Sequence, residues 1–355
     1  MYSRRSVLGS VLAATGAVAA GFSFSPAGAA SGKLRFFNWD TYIGDHTLAG
    51  FKAATGVTVD MSLFASNDEL FAQIAGSGPA YDVIVPSCDF VSRMVERDLL
   101  LKLDHAHLPN LVNMAAQFLD PPYDPKCAHS VPYTWVVLGL GYRRSKMKDF
   151  RVPDSWKWVF DSDDYKIGWL SEPSDMIRLG AKYLGYNIED ITPEVVRKVE
   201  KLLSKQAKHV SVFHTDNGQD MLKSGEVDIV IEYNGDMAQA MREDPDLDFV
   251  VPREGGLRTV DCWAIPKTAP NPDAAHAFLN YMMDAQAGAD ISETILYPTP
   301  NTAARSLTND AYRNNQVIFP PARVVSESDF TLWPGADMQQ RFDEAYARVR
   351  LVAGQ

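Results

Sequence analysis

The chain has 355 residues and is acidic, with 45 aspartates and glutamates against 34 lysines and arginines and a formal net charge of −11. This balance argues against a nucleic-acid or anionic-membrane partner, and it suits a cationic one. A chain of this length is expected to form two domains.

The first thirty residues have the pattern of an export signal. Arg4 and Arg5 form a twin-arginine pair, an apolar run from Val7 to Phe24 follows, and Ala27-Gly28-Ala29 is typical of a cleavage site. The run is barely long enough to span a membrane, which favours secretion over anchoring. We therefore expect residues 1–30 to be a signal peptide cut near Ala29, exported by the twin-arginine or the general route, and the mature protein to be periplasmic.

Downstream of the signal, apolar strand-like runs alternate with helical patterns. In chain order the predicted strands are Leu34–Asn38, Val57–Leu63, Tyr81–Pro86, Val136–Tyr142 and Val227–Glu232. The predicted helices are one that ends at Thr55 before Gly56, then Asp68–Ala75, Asp175–Leu184, Pro193–Lys205, Gly235–Arg242, Pro272–Met283, Ala285–Thr294 and Ala336–Arg350. The alternation predicts an α/β fold with mostly parallel sheets flanked by helices, in which ligands bind at the carboxyl ends of strands.

Common catalytic and metal-binding motifs are missing from the sequence. It has no P-loop, no G-x-S-x-G elbow and no H-E-x-x-H. His105-Ala106-His107 is the best metal candidate, because both rings would share one face of a strand, yet further ligands would have to come from elsewhere. Seven scattered histidines without a nearby nucleophile do not form a catalytic set. We therefore expect a binding protein that is not an enzyme and needs neither a metal nor a cofactor.

The three cysteines, Cys88, Cys127 and Cys262, leave at least one free thiol even in an oxidising compartment. Cys88 and Cys262 adjoin candidate site residues, so they either form a disulfide or pack in the core. We favour packing.

Aromatic and acidic residues follow the predicted strands at several points. An alkylammonium ligand needs anionic acceptors for its charge and apolar walls for its methylenes, and aromatic faces also attract the cation. Several spaced carboxylates would match a ligand with more than one ammonium group. The candidate residues are Trp39, Tyr42, Ser87, Asp89, Glu172, Asp175, Tyr233, Asp236, Asp261 and Tyr297.

Some of these residues have a purely structural alternative. Acids at helix starts often cap free amides, which applies to Asp89, Glu172, Asp175 and Asp236. Asp261 differs, because it interrupts an apolar strand-like run where an unpaired carboxylate is unfavourable, which suggests a ligand ammonium as its partner. Three neighbouring aromatic residues are expected in the core: Phe90, Trp135 and Trp263.

Five segments carry a family resemblance over nearly all of the mature chain: Asn38-Trp39-x-x-Tyr42, Ala80–Ser87, Val131-Pro132-Tyr133-x-Trp135, Glu254–Pro266 and Glu293–Asn301. They resemble the periplasmic spermidine/putrescine-binding proteins of ABC transporters. The resemblance implies a two-lobed type II periplasmic binding fold that closes on its ligand by hinge bending. We expect lobe 1 to comprise residues 31–135 and 259–301, and lobe 2 to comprise residues 136–258 and 302–355.

The same resemblance implies roles for single residues. Trp39 and Tyr42 resemble the aromatic walls and Ser87 the polar group beside them, while Asp261 resembles the carboxylate that grips an ammonium and Tyr297 a further aromatic contact.

On the other lobe, Glu172 and Asp175 resemble an acidic pair in reversed order, Tyr233 stands where a tryptophan is usual, and Asp236 resembles an acid of putrescine-preferring members. Two positions depart from the family pattern: Thr259 replaces a large aromatic residue, and Asp89 replaces Tyr or Ser.

The sequence thus predicts a receptor that captures a polyamine and delivers it to the membrane permease of an ABC transporter. Because of Thr259 and Asp89, a receptor for another small cation, such as a guanidino compound or a basic amino acid, stays open. An exported hydrolase or lyase on the same fold is less favoured, since it would need Cys88 or Cys262 beside a histidine. The exact amine, its affinity and the oligomeric state are not predicted.

Overall fold

The computed structural model describes residues 32–354. The predicted signal peptide, residues 1–30, and its cleavage site near Ala29 lie outside this range. Within it, no helix combines the length and the apolar character that crossing a membrane requires.

Strands and helices alternate over the described range. The strands are β1 Lys33–Asn38, β2 Thr58–Leu63, β3 Val83–Ile84, β4 Ser130–Arg143, β5 Ile167–Leu170, β6 Val210–His214, β7 Ile229–Tyr233, β8 Leu247–Val250, β9 Leu257–Ala264 and β10 Asp329–Phe330. The helices are α1 Thr47–Thr55, α2 Asn67–Ala75, α3 Cys88–Glu96, α4 Lys157–Phe160, α5 Pro173–Tyr183, α6 Pro193–Ala207, α7 Gly218–Ser224, α8 Asn234–Glu243, α9 Pro272–Met282, α10 Ala285–Ile295, α11 Thr302–Leu307, α12 Asp310–Arg313, α13 Ala322–Glu327 and α14 Ala336–Ala353.

The strands form one mixed sheet in the order β2-β1-β3-β9-β4-β7-β5-β6, with β10 beside β9 and β8 beside β4. Towards one end β1 pairs in parallel with β2 and β3, and towards the other β5 pairs in parallel with β6 and β7. The long strand β4 runs antiparallel to its neighbours β7, β8 and β9. The molecule therefore has two α/β halves joined by antiparallel strands.

Strand β4 belongs to both halves. Its first part, to Val137, pairs with β9, and its second part, from Leu138, pairs with β7 and β8. The prediction of a strand at Val136–Tyr142 was too short at its start. Pro132 lacks a backbone donor and the register shifts between Pro132 and Thr134, so this part does not have a regular strand pattern.

Each half has its own hydrophobic core. Phe36, Phe51 and Phe278 are fully buried in the first, and Trp156 and Trp169 are fully buried in the second. The C-terminal helix α14 packs against α5 and α6 in the second half. Helix α11, which the predicted boundaries assign to lobe 2, packs against α10 in the first half. The lobe boundaries as a whole stay a prediction.

Two further local predictions differ from the structure. Of the predicted strand Tyr81–Pro86, only Val83–Ile84 pairs with neighbouring strands, although the whole run is buried, because burial alone does not distinguish a strand from an extended segment. His105 and His107 lie in a 3-10 turn rather than a strand, and the His105 ring bonds to the Cys127 carbonyl at 2.8 Å.

Candidate functional site

A cavity of about 860 Å³ lies between the two halves of the molecule. All eleven predicted site residues line it: Trp39, Tyr42, Ser87, Asp89, Glu172, Asp175, Tyr233, Asp236, Thr259, Asp261 and Tyr297. They come from elements far apart in the chain, including the ends of β1 and β7, the middle of β9 and the starts of α3, α5 and α8. The fold thus brings the whole predicted set together around one space.

The walls of this cavity carry a strong excess of negative charge. Among the lining residues that the structure describes, none is Lys, Arg or His, and eight are acidic: Asp40, Asp68, Asp89, Glu172, Asp175, Asp216, Asp236 and Asp261. Carboxylates that share a site repel one another unless a cation or a proton joins them. The cavity is therefore built for a positively charged occupant.

Asp261 is held in place by two hydroxyl groups. Ser87 donates to its Oδ1 at 2.7 Å and Tyr42 donates to its Oδ2 at 2.8 Å. These donors are fixed in turn, because Asn67 donates to Ser87 Oγ at 2.9 Å and the Tyr42 hydroxyl also contacts Thr134. Asp261 is only 8% exposed and has no cationic partner among residues 32–354. Its carboxylate is oriented by hydrogen bonds, but its charge is not neutralised.

The same arrangement recurs at two more acids. Each of the three predicted tyrosines donates to a different predicted carboxylate: Tyr42 to Asp261, Tyr297 to Asp236 at 2.6 Å, and Tyr233 to Asp175 at 3.4 Å. The rings of Tyr42 and Tyr297 meet edge to face, 4.9 Å apart. A tyrosine hydroxyl that donates to a carboxylate orients that carboxylate and leaves the carboxylate's other lone pairs free to accept from a ligand.

Burial makes these carboxyl groups hard to ionise. Desolvation raises the pKa of Asp261 and of Asp175 to about 6 in each case, and that of Asp236 to about 7. The pKa of Glu172 rises to about 8, because of burial and then the neighbouring charge of Asp175. The pKa of Asp89 is also raised by burial, with the charge of Arg178 acting against the rise.

Capping hydrogen bonds do not account for Glu172 and Asp236, whereas backbone amides in the first turn of α3 do bond to the Asp89 carboxylate. Glu172 is the N-cap residue of α5, but its side chain makes no capping hydrogen bond. Helix α3 begins at Cys88 and its N-cap residue is Ser87, so Asp89 lies inside the first turn rather than at the cap. In the first turn of α8, the Asp236 carboxylate accepts from Tyr297 instead.

Aromatic side chains form the apolar part of the wall. Trp39 is fixed because its Nε1 donates to the Val85 carbonyl at 2.9 Å and its ring packs on Phe64. Phe90, which the sequence predicts in the core, is buried yet also lines the cavity. Trp263 does lie in the core, stacked 4.1 Å from Tyr133.

Sequence reasoning missed eleven lining residues: Asp40, Ala65, Asn67, Asp68, Phe90, Val136, Ser174, Thr215, Asp216, Thr331 and Gln339. Asp40 lies within the Trp39–Tyr42 motif and could have been chosen there. Asp216 follows β6. Because this strand was not predicted, the expectation that binding residues follow strand ends did not select Asp216.

Two titratable residues close to Asp216 are buried in the protein interior. Glu232 and His214 are 0% and 2% exposed, and Glu232 Oε2 lies 3.9 Å from His214 Nδ1 without a hydrogen bond to any described residue. Burial raises the pKa of Glu232 and Asp216 well above the ordinary value and lowers that of His214 to about 4. At neutral pH the imidazole of His214 is therefore neutral, and burial favours the protonated form of Glu232.

All three cysteines are free and buried, as the preference for packing predicts. The Cys88 thiol contacts the Thr259 hydroxyl at 3.2 Å and the Thr331 carbonyl at 3.3 Å. Burial raises the pKa of this thiol to about 12, and neither Cys88 nor Cys262 is bonded to a histidine among the described residues. A thiol in this state is a poor nucleophile.

The raised pKa values predict how the ligand-free protein responds to pH. Carboxyl groups that hold protons more tightly in the folded state contribute stability that is fully present below their unfolded pKa values, near 4, and that is lost as pH rises to their folded values of about 6 to 8. His214 acts in the opposite sense only below about pH 6.5. The free energy of unfolding, measured with urea, should therefore fall between pH 6.5 and 8.5. A constant or rising value would contradict the assigned shifts.

Two α/β halves, antiparallel connecting strands and a polar cavity between the halves define a solute-binding protein of the type II periplasmic class. Residues 47–319 match the family model of bacterial extracellular solute-binding proteins, and the chain belongs to this family. The fold class and the family resemblance predicted from the sequence are confirmed.

Individual relatives agree with this assignment. The putrescine-binding periplasmic protein SpuD of Pseudomonas aeruginosa (strain UCBPP-PA14) is 31% identical over 83% of this chain and 85% of its own length. The spermidine/putrescine-binding periplasmic protein of Salmonella typhimurium is 30% identical over 96% of this chain and 97% of its own. Among solved structures, a putative spermidine/putrescine ABC transporter from Listeria monocytogenes has a TM-score of 0.84 at 27% identity, covering 90% of this chain and 99% of that one.

Proposed function

We propose that this protein captures a polyamine outside the cytoplasm and delivers it to the membrane permease of an ABC transporter, without chemical conversion. The observation that carries the proposal is the cavity itself, where eight acidic residues and five aromatic ones line one space that no described basic residue enters. Relatives that bind putrescine or spermidine, by their names, support the same ligand class.

The geometry suits a chain with an ammonium group at each end. Asp261 in the first half and Asp175 and Asp236 in the second are each oriented by a tyrosine, so they can accept charge-assisted hydrogen bonds from separate ammonium groups. Trp39, Phe90 and the tyrosine rings supply apolar walls for the methylenes and attract the cation. Each end of the ligand would then contact a different half of the protein.

A ligand that contacts both halves favours their closure. We propose that the hinge lies where β4 changes partner, near Val137, together with the segments between β8 and β9 and after β10. Scattering curves should show a modest fall in the radius of gyration when putrescine is added at saturation. Identical curves with and without ligand would show that hinge closure does not accompany binding.

Thr259 lines one side of the cavity. Its side chain lines the space at a position where the family resemblance leads us to expect a large aromatic residue. Thr259→Trp should tighten the binding of unbranched polyamines, because an additional aromatic face adds about 0.5–2 kcal/mol of contact with a cation. Calorimetric titration of both proteins with putrescine and spermidine measures the change. Weaker binding by the variant would show that the threonine hydroxyl makes a contact with the ligand.

Thr259 and Asp89 also support a second candidate, a receptor for a guanidino compound or a basic amino acid. Thr259 leaves more room in the cavity than a large aromatic residue would, and Asp89 adds a carboxylate to its wall. A calorimetric panel on refolded, ligand-stripped protein separates the candidates. It contains putrescine, cadaverine, spermidine, spermine, agmatine, arginine and betaine, and each bound amine is recovered and checked for conversion. Agmatine or arginine as the tightest ligand would favour the second candidate, and any product would overturn the non-enzymatic assignment.

A further inference from the structure

A second cavity, of about 820 Å³, lies against the strands that connect the two halves. Trp135 and Val260, which pair directly across β4 and β9, line this cavity, whereas the next pair, Val136 and Thr259, lines the acidic one. Successive side chains of a strand point to opposite faces. The two cavities therefore lie on opposite faces of the same two strands, and only Thr259 borders both.

The chemistry of the second cavity is the reverse of the first. Among its described lining residues none is Asp or Glu, and two are arginines, Arg258 and Arg305. Four aromatic residues complete its walls: Phe118, Trp135, Phe319 and Phe330. A protein with a net charge of −11 thus places two guanidinium groups and no described carboxylate around one aromatic-lined space.

Both arginines keep hydrogen-bond donors free. Arg258 uses its Nε to bond the Ser328 carbonyl at 2.9 Å, and the nearby Asp329 is paired with Lys182. The Arg305 guanidinium lies 3.7 Å from the centre of the Phe319 ring. Within the described residues, neither arginine has a carboxylate within 4.0 Å. Their Nη groups are available to a ligand.

We propose that this second cavity binds a small organic carboxylate with a flat apolar body. A guanidinium matches a carboxylate with two parallel hydrogen bonds, so each of the two arginines offers the anionic end of the ligand a two-point contact. The rings of Trp135, Phe319 and Phe330 offer faces and edges to the apolar body of the ligand. An inorganic anion would use only the arginines and leave these walls uncovered.

The test is a fluorine NMR titration of the ligand-free protein with 4-fluorobenzoate and its neutral isostere 4-fluorobenzamide. The neutral ligand 4-fluorobenzamide should bind roughly tenfold or more weakly than 4-fluorobenzoate. The double variant Arg258→Gln with Arg305→Gln, which removes the positive charges of the cavity, should bind 4-fluorobenzoate more weakly by a similar factor. The control variant combines Arg242→Gln with Arg253→Gln, which changes the net charge equally outside the cavity, and it should bind 4-fluorobenzoate like wild type. Arg305→Gln alone, at an exposed helix position, should weaken binding and lower the melting temperature only slightly, through loss of its contact with the Phe319 ring.

Three results would overturn the proposal. The first is equal affinity for the amide and the carboxylate, and the second is undiminished binding of 4-fluorobenzoate by the Arg258→Gln, Arg305→Gln variant. The third is full displacement of 4-fluorobenzoate by equimolar inorganic phosphate, which would identify an adventitious ion only. Because this cavity and the acidic one share only Thr259, a failure here leaves the polyamine proposal untouched.

Discussion

Asp261→Asn should weaken putrescine binding thirtyfold to several thousandfold at pH 8. The change keeps the shape of the side chain and removes its charge, and losing one partner of a desolvated charge pair costs about 2–5 kcal/mol. Asp261 is the carboxylate with the most complete support, since Ser87 and Tyr42 hold its two oxygens at 2.7 and 2.8 Å. Isothermal titration calorimetry on both proteins measures the loss.

Stability provides an internal check on this variant. The raised pKa of Asp261 means that the empty site holds its charge at a cost, so the ligand-free variant should unfold at the same or a higher urea concentration at pH 8. Asp163→Asn, at an exposed position outside the cavity, is the matched control and should change neither quantity. If Asp261→Asn binds putrescine as wild type does, Asp261 is not the anchor of the site.

Putrescine affinity should fall at least about a hundredfold between pH 8 and pH 5. Alkylammonium groups stay charged up to about pH 10, so the ligand does not titrate in this range. Asp236, with a pKa of about 7, is almost fully protonated at pH 5, and a cation must displace that proton in order to pair with the carboxylate. Asp175 and Asp261, with pKa values of about 6, add to the loss at the acidic end.

Proton release makes the same effect visible at a single pH. Titrations at pH 7 in buffers of different ionisation enthalpy should show protons leaving the protein when putrescine binds. Asp236→Asn should release fewer protons and have a flatter pH profile between pH 6 and 8. Equal affinities at pH 5 and pH 8, without proton release, would mean that the titrating carboxyl groups do not contact the ligand.

The fold was predictable where one local pattern dominates. The buried face of α6 and the bounded apolar runs of β1 and β7 follow from helix and strand periodicity, and their predicted bounds differ from the observed ones by no more than two residues. Strand β4 was only half predicted, because its identity depends on pairing with two different sets of strands and no local pattern encodes that. Strands β5 and β6 were missed because runs of four and five residues are too short to show a clear strand period.

The site was more predictable than the sheet that positions it. Strand ends concentrate binding residues whatever the strand order, so acids and aromatics chosen there converge on one cavity. What the sequence could not reveal is the pairing within the site. Tyr297 and Asp236 are 61 residues apart, and only the packing of α8 against α10 brings the hydroxyl within 2.6 Å of the carboxylate. The buried His214–Glu232 pair also depends on strand pairing, because its members lie on separate strands.

The most direct test of the binding proposal compares putrescine with butane-1,4-diol, which has the same carbon chain without charge, on refolded, ligand-stripped protein at pH 8. Calorimetry should show saturable, one-to-one binding of putrescine and no binding of the diol, because the cavity presents eight acidic residues and no described basic one. Equal binding of the two compounds, or heat from a dicarboxylate such as succinate but none from putrescine, would contradict the proposed function.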